Sequence, residues 1–311
     1  MSHEIESFVY NGEEPWHNLG TPNWDGTFET SMVNWEVVKI PGFISLPNGE
    51  VTYMGRDALV RKPDNKILDT VSEDWNTVQN KIAFEFFDEW CTAGGMKMET
   101  CGSLRGGQIV FALAKIQESF DLFKGKDKVD SYMLFTNPHR YGWATSVSWS
   151  AIRVVCMNTL MASLGSTNKE KIVKVSHRNE FDPEEVKEAL EISKEKLEKY
   201  KEMATHLAST KAKNEDIVTY FKRIFPVLSK KEDSTKEMSK SANTCLKILE
   251  TQPGAELGKG TWWQPYNAVT FFTDHLASRS QDTRLASSWY GSNRKLKVKA
   301  LDLALEMADV S

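Results

Sequence analysis

The run Ser146-Val-Ser-Trp-Ser-Ala-Ile-Arg-Val-Val-Cys-Met-Asn-Thr-Leu160 brings an arginine (Arg153), a thiol (Cys156) and an amide (Asn158) close together in the chain. Val147, Trp149, Ile152 and Val154 predict a strand. Asn158 and Thr159 predict the cap of a helix over 160–164, closed by Gly165. Backbone N–H groups point outward where a strand turns into a helix start, so the expected chemistry is anion binding by Arg153 and Asn158. The alternative is a well-capped core junction with one exposed arginine.

Covalent chemistry finds less support. Gly254-Ala-Glu-Leu-Gly258-Lys259-Gly260-Thr261 departs from a phosphate loop: three residues separate its glycines, and Gly260 stands where Ser or Thr would bind magnesium. His3, His17, His139, His177, His206 and His275 are dispersed, with no metal-binding spacing. Cys156 could pair with His139 or His177 as nucleophile and base, although a free cysteine is more often a small buried hydrophobe. No catalytic residue, metal or cofactor is expected.

Binding chemistry fits the chain better. Single-stranded nucleic acid needs cations along its phosphates and aromatic faces under its bases. Asn137-Pro-His-Arg-Tyr-Gly-Trp143 offers His139, Arg140, Tyr141 and Trp143 in one expected exposed loop. Arg105 and Arg153 are natural phosphate partners. A second basic stretch, Arg279 to Lys299, carries Trp289-Tyr290 between Arg284 and Arg294. Tyr141 and Trp289 could equally be core aromatics, and Trp35, Trp75 and Trp90 are read as core. Gly102, Gly106 and Gly107 around Arg105 either let a phosphate approach the backbone or supply the positive φ of a two-residue hairpin. The hairpin needs the glycines but has no need of the arginine.

The elements that must position these residues fall into two regimes, α+β overall. Residues 1–34 are expected to form an irregular arm with Trp16, Trp24 and Phe28. An α+β domain follows over 35–178, with a mixed antiparallel sheet and helices. Its expected strands are Trp35–Ile40, Val51–Arg61, Ile67–Val71, Met98–Leu104, Gln108–Ala114, Ser131–Thr136 and Trp143–Trp149. After Val78 a helix of about a dozen residues would bury Ile82, Phe86 and Trp90. The region 179–311 reads as all-helical. Asp182-Pro183-Glu184 opens a long helix through Leu207 with Val186, Leu190, Leu197, Tyr200 and Leu207 on one face. Further helices are expected at Glu215–Phe225, Ser234–Glu250, Trp263–Ala277 and Arg294–Met307.

A net charge of −4 hides an uneven distribution. Residues 1–104 carry −10, residues 105–178 carry +6 and residues 179–311 are neutral. Such asymmetry can leave a cationic groove on an acidic protein. No apolar run approaches the ~20 residues that span a bilayer, so no membrane partner is expected. The acidic N-terminus lacks a signal-peptide core, which predicts a cytoplasmic protein. The four cysteines are widely spaced, which argues against disulfides and a zinc knuckle.

Four segments together resemble a phage- and plasmid-borne family catalogued as domain of unknown function 932. They are Pro15-Trp-His-Asn-Leu-Gly-Thr21, Glu99-Thr-Cys-Gly-Ser-Leu-Arg-Gly-Gly107, Arg153-Val-Val-Cys-Met-Asn-Thr-Leu160, and Gly260-Thr-Trp262 followed by Asn267-Ala-Val269. By fold the family resembles the single-strand annealing proteins of the Rad-fifty-two type, an associational link. The resemblance implies a homo-oligomer in the form of a ring. Two functions stand from different classes. One is a single-stranded DNA binding and annealing protein for recombination, without covalent catalysis, using Arg105, Arg140 and Arg153. The other is a mobile-element accessory protein acting on phage or host proteins through its acidic first third. An enzyme acting on nucleic acid or nucleotides, with a site assembled from distant residues, is a third option.

Overall fold

A computed structural model describes residues 28–29, 31, 33–155, 158–160, 173–174, 183–227, 238–278 and 280–310. The chain is α+β, with antiparallel sheets first and helices after. Strands β1 (Val37–Ser45), β2 (Val51–Arg61) and β3 (Lys66–Val71) form a three-stranded sheet in sequence order. Helix α1 (Asn80–Ala93) leads to a six-stranded sheet. Its strands are β4 (Lys97–Leu104), β5 (Ile109–Leu122), β6 (Asp127–Pro138), β7 (Ser146–Arg153) and β8 (Asn158–Leu160), with β9 (Val173–Lys174) also paired to β7. The helices are α2 (Pro183–Ser209), α3 (Asn214–Ile224), α4 (Lys240–Ile248), α5 (Trp263–Phe271), α6 (Gln281–Tyr290) and α7 (Ser292–Asp309). A π-helical turn, Phe272–Leu276, continues α5.

The strands β5 and β6 are buried on both faces, so their apolar runs are nearly continuous. On one face Phe87 of α1 stacks on Phe135 at 4.7 Å, and Tyr200 of α2 meets Phe120 at 5.8 Å. On the other face α6 lays Ala286 and Trp289 against Phe111, Leu113 and Leu134. The α2 face expected from spacing is the one used: Val186, Leu197, Tyr200 and Leu207 are buried and Leu190 packs beside them.

Two expectations need correction, and one helix went unforeseen. Helix α1 buries Ala83, Phe84, Phe87, Trp90 and Cys91 and leaves Ile82 61% exposed. Both sets of residues share helical spacing, and the sheet selected the one rich in aromatics. Asn158 and Thr159, expected as a helix cap, lie in strand β8 and pair with Arg153 and Ile152. The helix over 160–164 lies outside the described residues beyond Leu160, as do the arm before Phe28, Cys156, His177 and Asp182. Helix α6 was not anticipated, because only Leu285, Ala286, Trp289 and Tyr290 mark its apolar side.

Candidate nucleic-acid interface

The loop between β6 and β7 is held from beneath by amides. Asn137 donates from Nδ2 to the Asn80 side-chain oxygen at 3.1 Å and to the Val78 carbonyl at 3.2 Å. The Thr145 hydroxyl donates to Asn137 Oδ1 at 2.9 Å, and His139 Nε2 lies 2.8 Å from Asn80 Oδ1. His139 is fully buried, which corrects its expected place in an exposed loop, and burial pulls its pKa down to about 3. Its neutral ring is therefore a structural post. Beyond it the chain emerges: Arg140 and Trp143 are half-buried and Tyr141 is 52% exposed.

Arginines and aromatics alternate across this seam between the two sheets. The Arg56 guanidinium of β2 lies 4.8 Å from the centre of the Tyr141 ring, while its Nε donates to Thr70 Oγ1 at 3.2 Å. The Tyr141 backbone N–H donates to Asp69 Oδ2 at 3.0 Å, tying the loop to β3. Arg140 lies 5.3 Å from the Trp143 ring. Trp143 meets Tyr290 of α6 edge-on at 5.4 Å, and the Tyr290 hydroxyl is 2.7 Å from Thr136 Oγ1. Burial raises the Tyr290 pKa, and the nearby positive charge of Arg294 opposes that rise. Arg56 with Tyr141, and Arg140 with Trp143 and Tyr290, are thus linked neighbour to neighbour, with Arg140 and Tyr141 adjacent in the chain, and Arg294 is half-buried in the first turn of α7. Arg56 had no signal in the sequence, since nothing in β2 announces its partner in another sheet.

Arg105 occupies the tip of the β4–β5 hairpin, exposed, beside the start of α6. Its backbone N–H donates to Asp282 Oδ1 at 2.7 Å. Burial raises the Asp282 pKa, partly offset by that bond and by the charges of Arg105 and Lys66. The connection spans four residues, with Leu104 opposite Ile109, where two were expected. Arg105, Gly106 and Gly107 all have positive φ. At Gly107 a Cβ would stand 2.7 Å from Arg61 Nη1, so the glycine there serves a turn and a close approach together. Gly102 lies outside the turn, within β4 opposite Phe111.

The remaining expected contacts are committed elsewhere. Trp289 is 1% exposed and packs edge-on against Phe111 at 5.0 Å, so it is core rather than a stacking platform. Arg284 is half-buried and donates to the Ser278 carbonyl. Arg153 is 3% exposed and inaccessible to a phosphate. Its Nε donates to Asp127 at 2.8 Å and its Nη2 donates to Asp127 at 2.7 Å and to the Gly254 carbonyl at 3.1 Å. Asn158 is 4% exposed and donates to Thr270 Oγ1 at 2.6 Å and to the Asn267 carbonyl at 3.3 Å. Next to it, Lys297 donates to the Thr159 carbonyl at 2.6 Å and to Asp274 at 2.8 Å. Burial lowers the Lys297 pKa, and Asp274 opposes the shift. These residues join the six-stranded sheet to α5, the π turn and α7.

Other polar clusters offer little for catalysis. Tyr132 donates to Glu99 Oε2 at 3.0 Å, burial raises the Glu99 pKa, and Asp130 is paired with Lys115 and Lys128 at 3.0 Å each. In the glycine-rich loop Gly254 accepts from Arg153, and the Gly260 N–H donates to Gln264 Oε1 at 3.1 Å. Cys91 and Cys245 are buried, and burial pushes both thiols up, away from the reactive thiolate. Among the described residues no group of three or more His, Cys, Asp or Glu side chains is placed to hold a metal ion, and no helix is long and apolar enough to cross a membrane.

A family described as Domain of unknown function (DUF932) matches residues 67–289. No curated protein and no solved structure matches the chain.

Proposed function

The chain belongs to this family, whose description carries no activity, and from its surface chemistry we propose that it binds single-stranded DNA and promotes annealing in recombination, without covalent catalysis. The observation that carries this reading is the seam of Arg56, Tyr141, Arg140, Trp143 and Tyr290, with Arg105 on the neighbouring hairpin and Arg294 at the start of α7 as further cations. Alternating guanidinium and aromatic groups suit a single strand, whose phosphates need cations and whose unpaired bases need flat faces. Stacking contributes on the order of 1–3 kcal/mol per base. The cation–π contacts hold Tyr141 and Trp143 in place before a strand arrives, which reduces the ordering cost. A strand laid on the seam keeps its pairing edges outward, and annealing then needs only alignment and charge neutralisation. The phage or plasmid setting, the cytoplasm, a homo-oligomer and the kinship with Rad-fifty-two-type proteins belong to this proposal.

The test is annealing of two complementary labelled strands, followed by energy transfer between the labels. The reading expects the full-length protein to accelerate pairing and an Arg140→Ala, Tyr141→Ala double variant to lose most of that acceleration. Wild-type protein that binds neither strand at low salt overturns it.

A further inference from the structure

Along α7 one stripe of side chains changes sign. Lys295, Lys299, Asp302 and Glu306 follow one another at intervals of four, three and four residues, so they share a helix face. The two lysines come first and the two acids after. The opposite order suits a helix, whose N-terminal end is positive and whose C-terminal end is negative. Helices α2 and α3 keep the favoured order: acids open both, and Lys222 and Arg223 close α3. Helix α7 instead opens with Arg294 and Lys295 and has no acid in its first turn. Its first cations therefore stand against the local preference, as happens where a charge serves something other than the fold.

Together with Arg223 of α3, these side chains line a groove of about 550 Å³ between α3 and α7. Its walls are fixed: the Tyr220 hydroxyl donates to the Ala300 carbonyl at 2.9 Å, and Lys299 donates to the Arg223 carbonyl at 2.9 Å. At the acidic end Arg223 donates from Nη2 to Glu306 at 3.0 Å. That pair is exposed, and exposed pairs exchange partners at little cost. Lys295 is exposed, and its ammonium group has no partner among the described residues. The cationic end is also the end that joins the seam. Tyr290 closes α6, Gly291 follows, and Arg294 stands one position before Lys295, near enough for its charge to act on the Tyr290 hydroxyl.

We propose that this groove carries a single strand of DNA onward from the seam, its phosphates passing Arg294 and then Lys295 and Lys299. The proposal rests on the nucleic-acid reading of the seam and extends it. The seam offers rings to the bases, whereas no aromatic side chain is among the described residues that line the groove, so the groove holds backbone alone. Lys295 and Lys299 are separated by a rise of roughly 6 Å along the helix, which sets both ammonium groups on one line. Asp302 and Glu306 repel a phosphate and turn the strand out to solvent. The groove thus adds affinity that depends on strand length and carries no sequence preference.

Fluorescence anisotropy of labelled oligothymidylates from about 4 to about 30 nucleotides, titrated with the full chain at several salt concentrations, tests this. A Lys295→Gln, Lys299→Gln double variant reports on the groove, and Arg140→Ala reports on the seam. Both lysines are exposed, so the double variant retains the fold, checked by circular dichroism. It is expected to keep wild-type affinity for the shortest strand that binds and to lose about tenfold for the longest, where its salt slope is shallower by about 1.4. Arg140→Ala loses affinity at every length. Equal losses at all lengths in the lysine variant, or no loss at any, overturn the groove and leave the seam in place. A wild type that binds no strand at low salt overturns the seam reading and this proposal with it.

Discussion

Arg153 and Asp127 form a closed pair, with Nη2 donating to Oδ2 at 2.7 Å, Asp127 fully buried and the Arg153 guanidinium 5.6 Å from the Trp263 ring. Trp263 also donates from Nε1 to the same carboxylate oxygen at 2.9 Å. The most recognisable arginine of the sequence is thus spent on joining the sheet to α5. Arg153→Ala leaves a buried carboxylate with its main cationic partner removed, and removing one partner of such a pair costs about 3–5 kcal/mol. Urea unfolding is expected to show that loss. A variant with unchanged stability contradicts the structural role.

Gly107→Ala is expected to destabilise more than Gly125→Ala. Both glycines have positive φ, but only at Gly107 would the added Cβ meet Arg61 Nη1, at 2.7 Å, while Gly125 faces open space. The Gly125 change costs on the order of 1 kcal/mol from conformation alone. The Gly107 change adds displacement of a buried guanidinium. Paired thermal melts read the difference, and equal losses contradict it.

The buried His139 sets an acid-side limit on stability. Burial holds its folded pKa at about 3, below the ordinary 6.5, so the unfolded chain binds the proton first as pH falls. Its contribution is complete above pH 6.5 and is lost progressively between there and about pH 3. The loss amounts to several kcal/mol as an order of magnitude. Glu99, raised by burial, acts in the opposite sense just above pH 4.5, and its contribution falls as pH rises there. His139→Gln is expected to flatten the decline between pH 6.5 and 4.5 in urea titrations, whatever its effect at neutral pH. An unchanged slope contradicts this.

Local signals in the sequence were legible, and signals that depend on remote partners were not. The bounds of β2 and the buried face of α2 follow from alternation and helical spacing, which neighbouring residues carry themselves. Asn158 has the type of a helix cap, yet it is used as a donor to Thr270 and Asn267, more than a hundred residues away. Trp289 stands among basic residues and so resembles a stacking platform, but Phe111 claims its ring. At the seam, the exposure of Tyr141 was legible, whereas the burial of His139 beneath it was not. Nor was Arg56, because its place over Tyr141 exists only once β3 and the β6–β7 loop are joined through Asp69.

The most direct measurement is fluorescence anisotropy of a labelled single strand titrated with the full-length protein at several salt concentrations. Arg140→Ala and Tyr141→Ala are compared with Arg294→Ala and with an exposed control, Lys199→Ala, on the outside of α2. Each phosphate neutralised on a single strand contributes roughly −0.7 to the slope of log affinity against log salt. The account predicts that the two arginine variants lose affinity together with part of that slope. Tyr141→Ala loses affinity at an unchanged slope, and the control changes neither. Binding that is absent at low salt in folded protein, or equal in all four variants, contradicts the account.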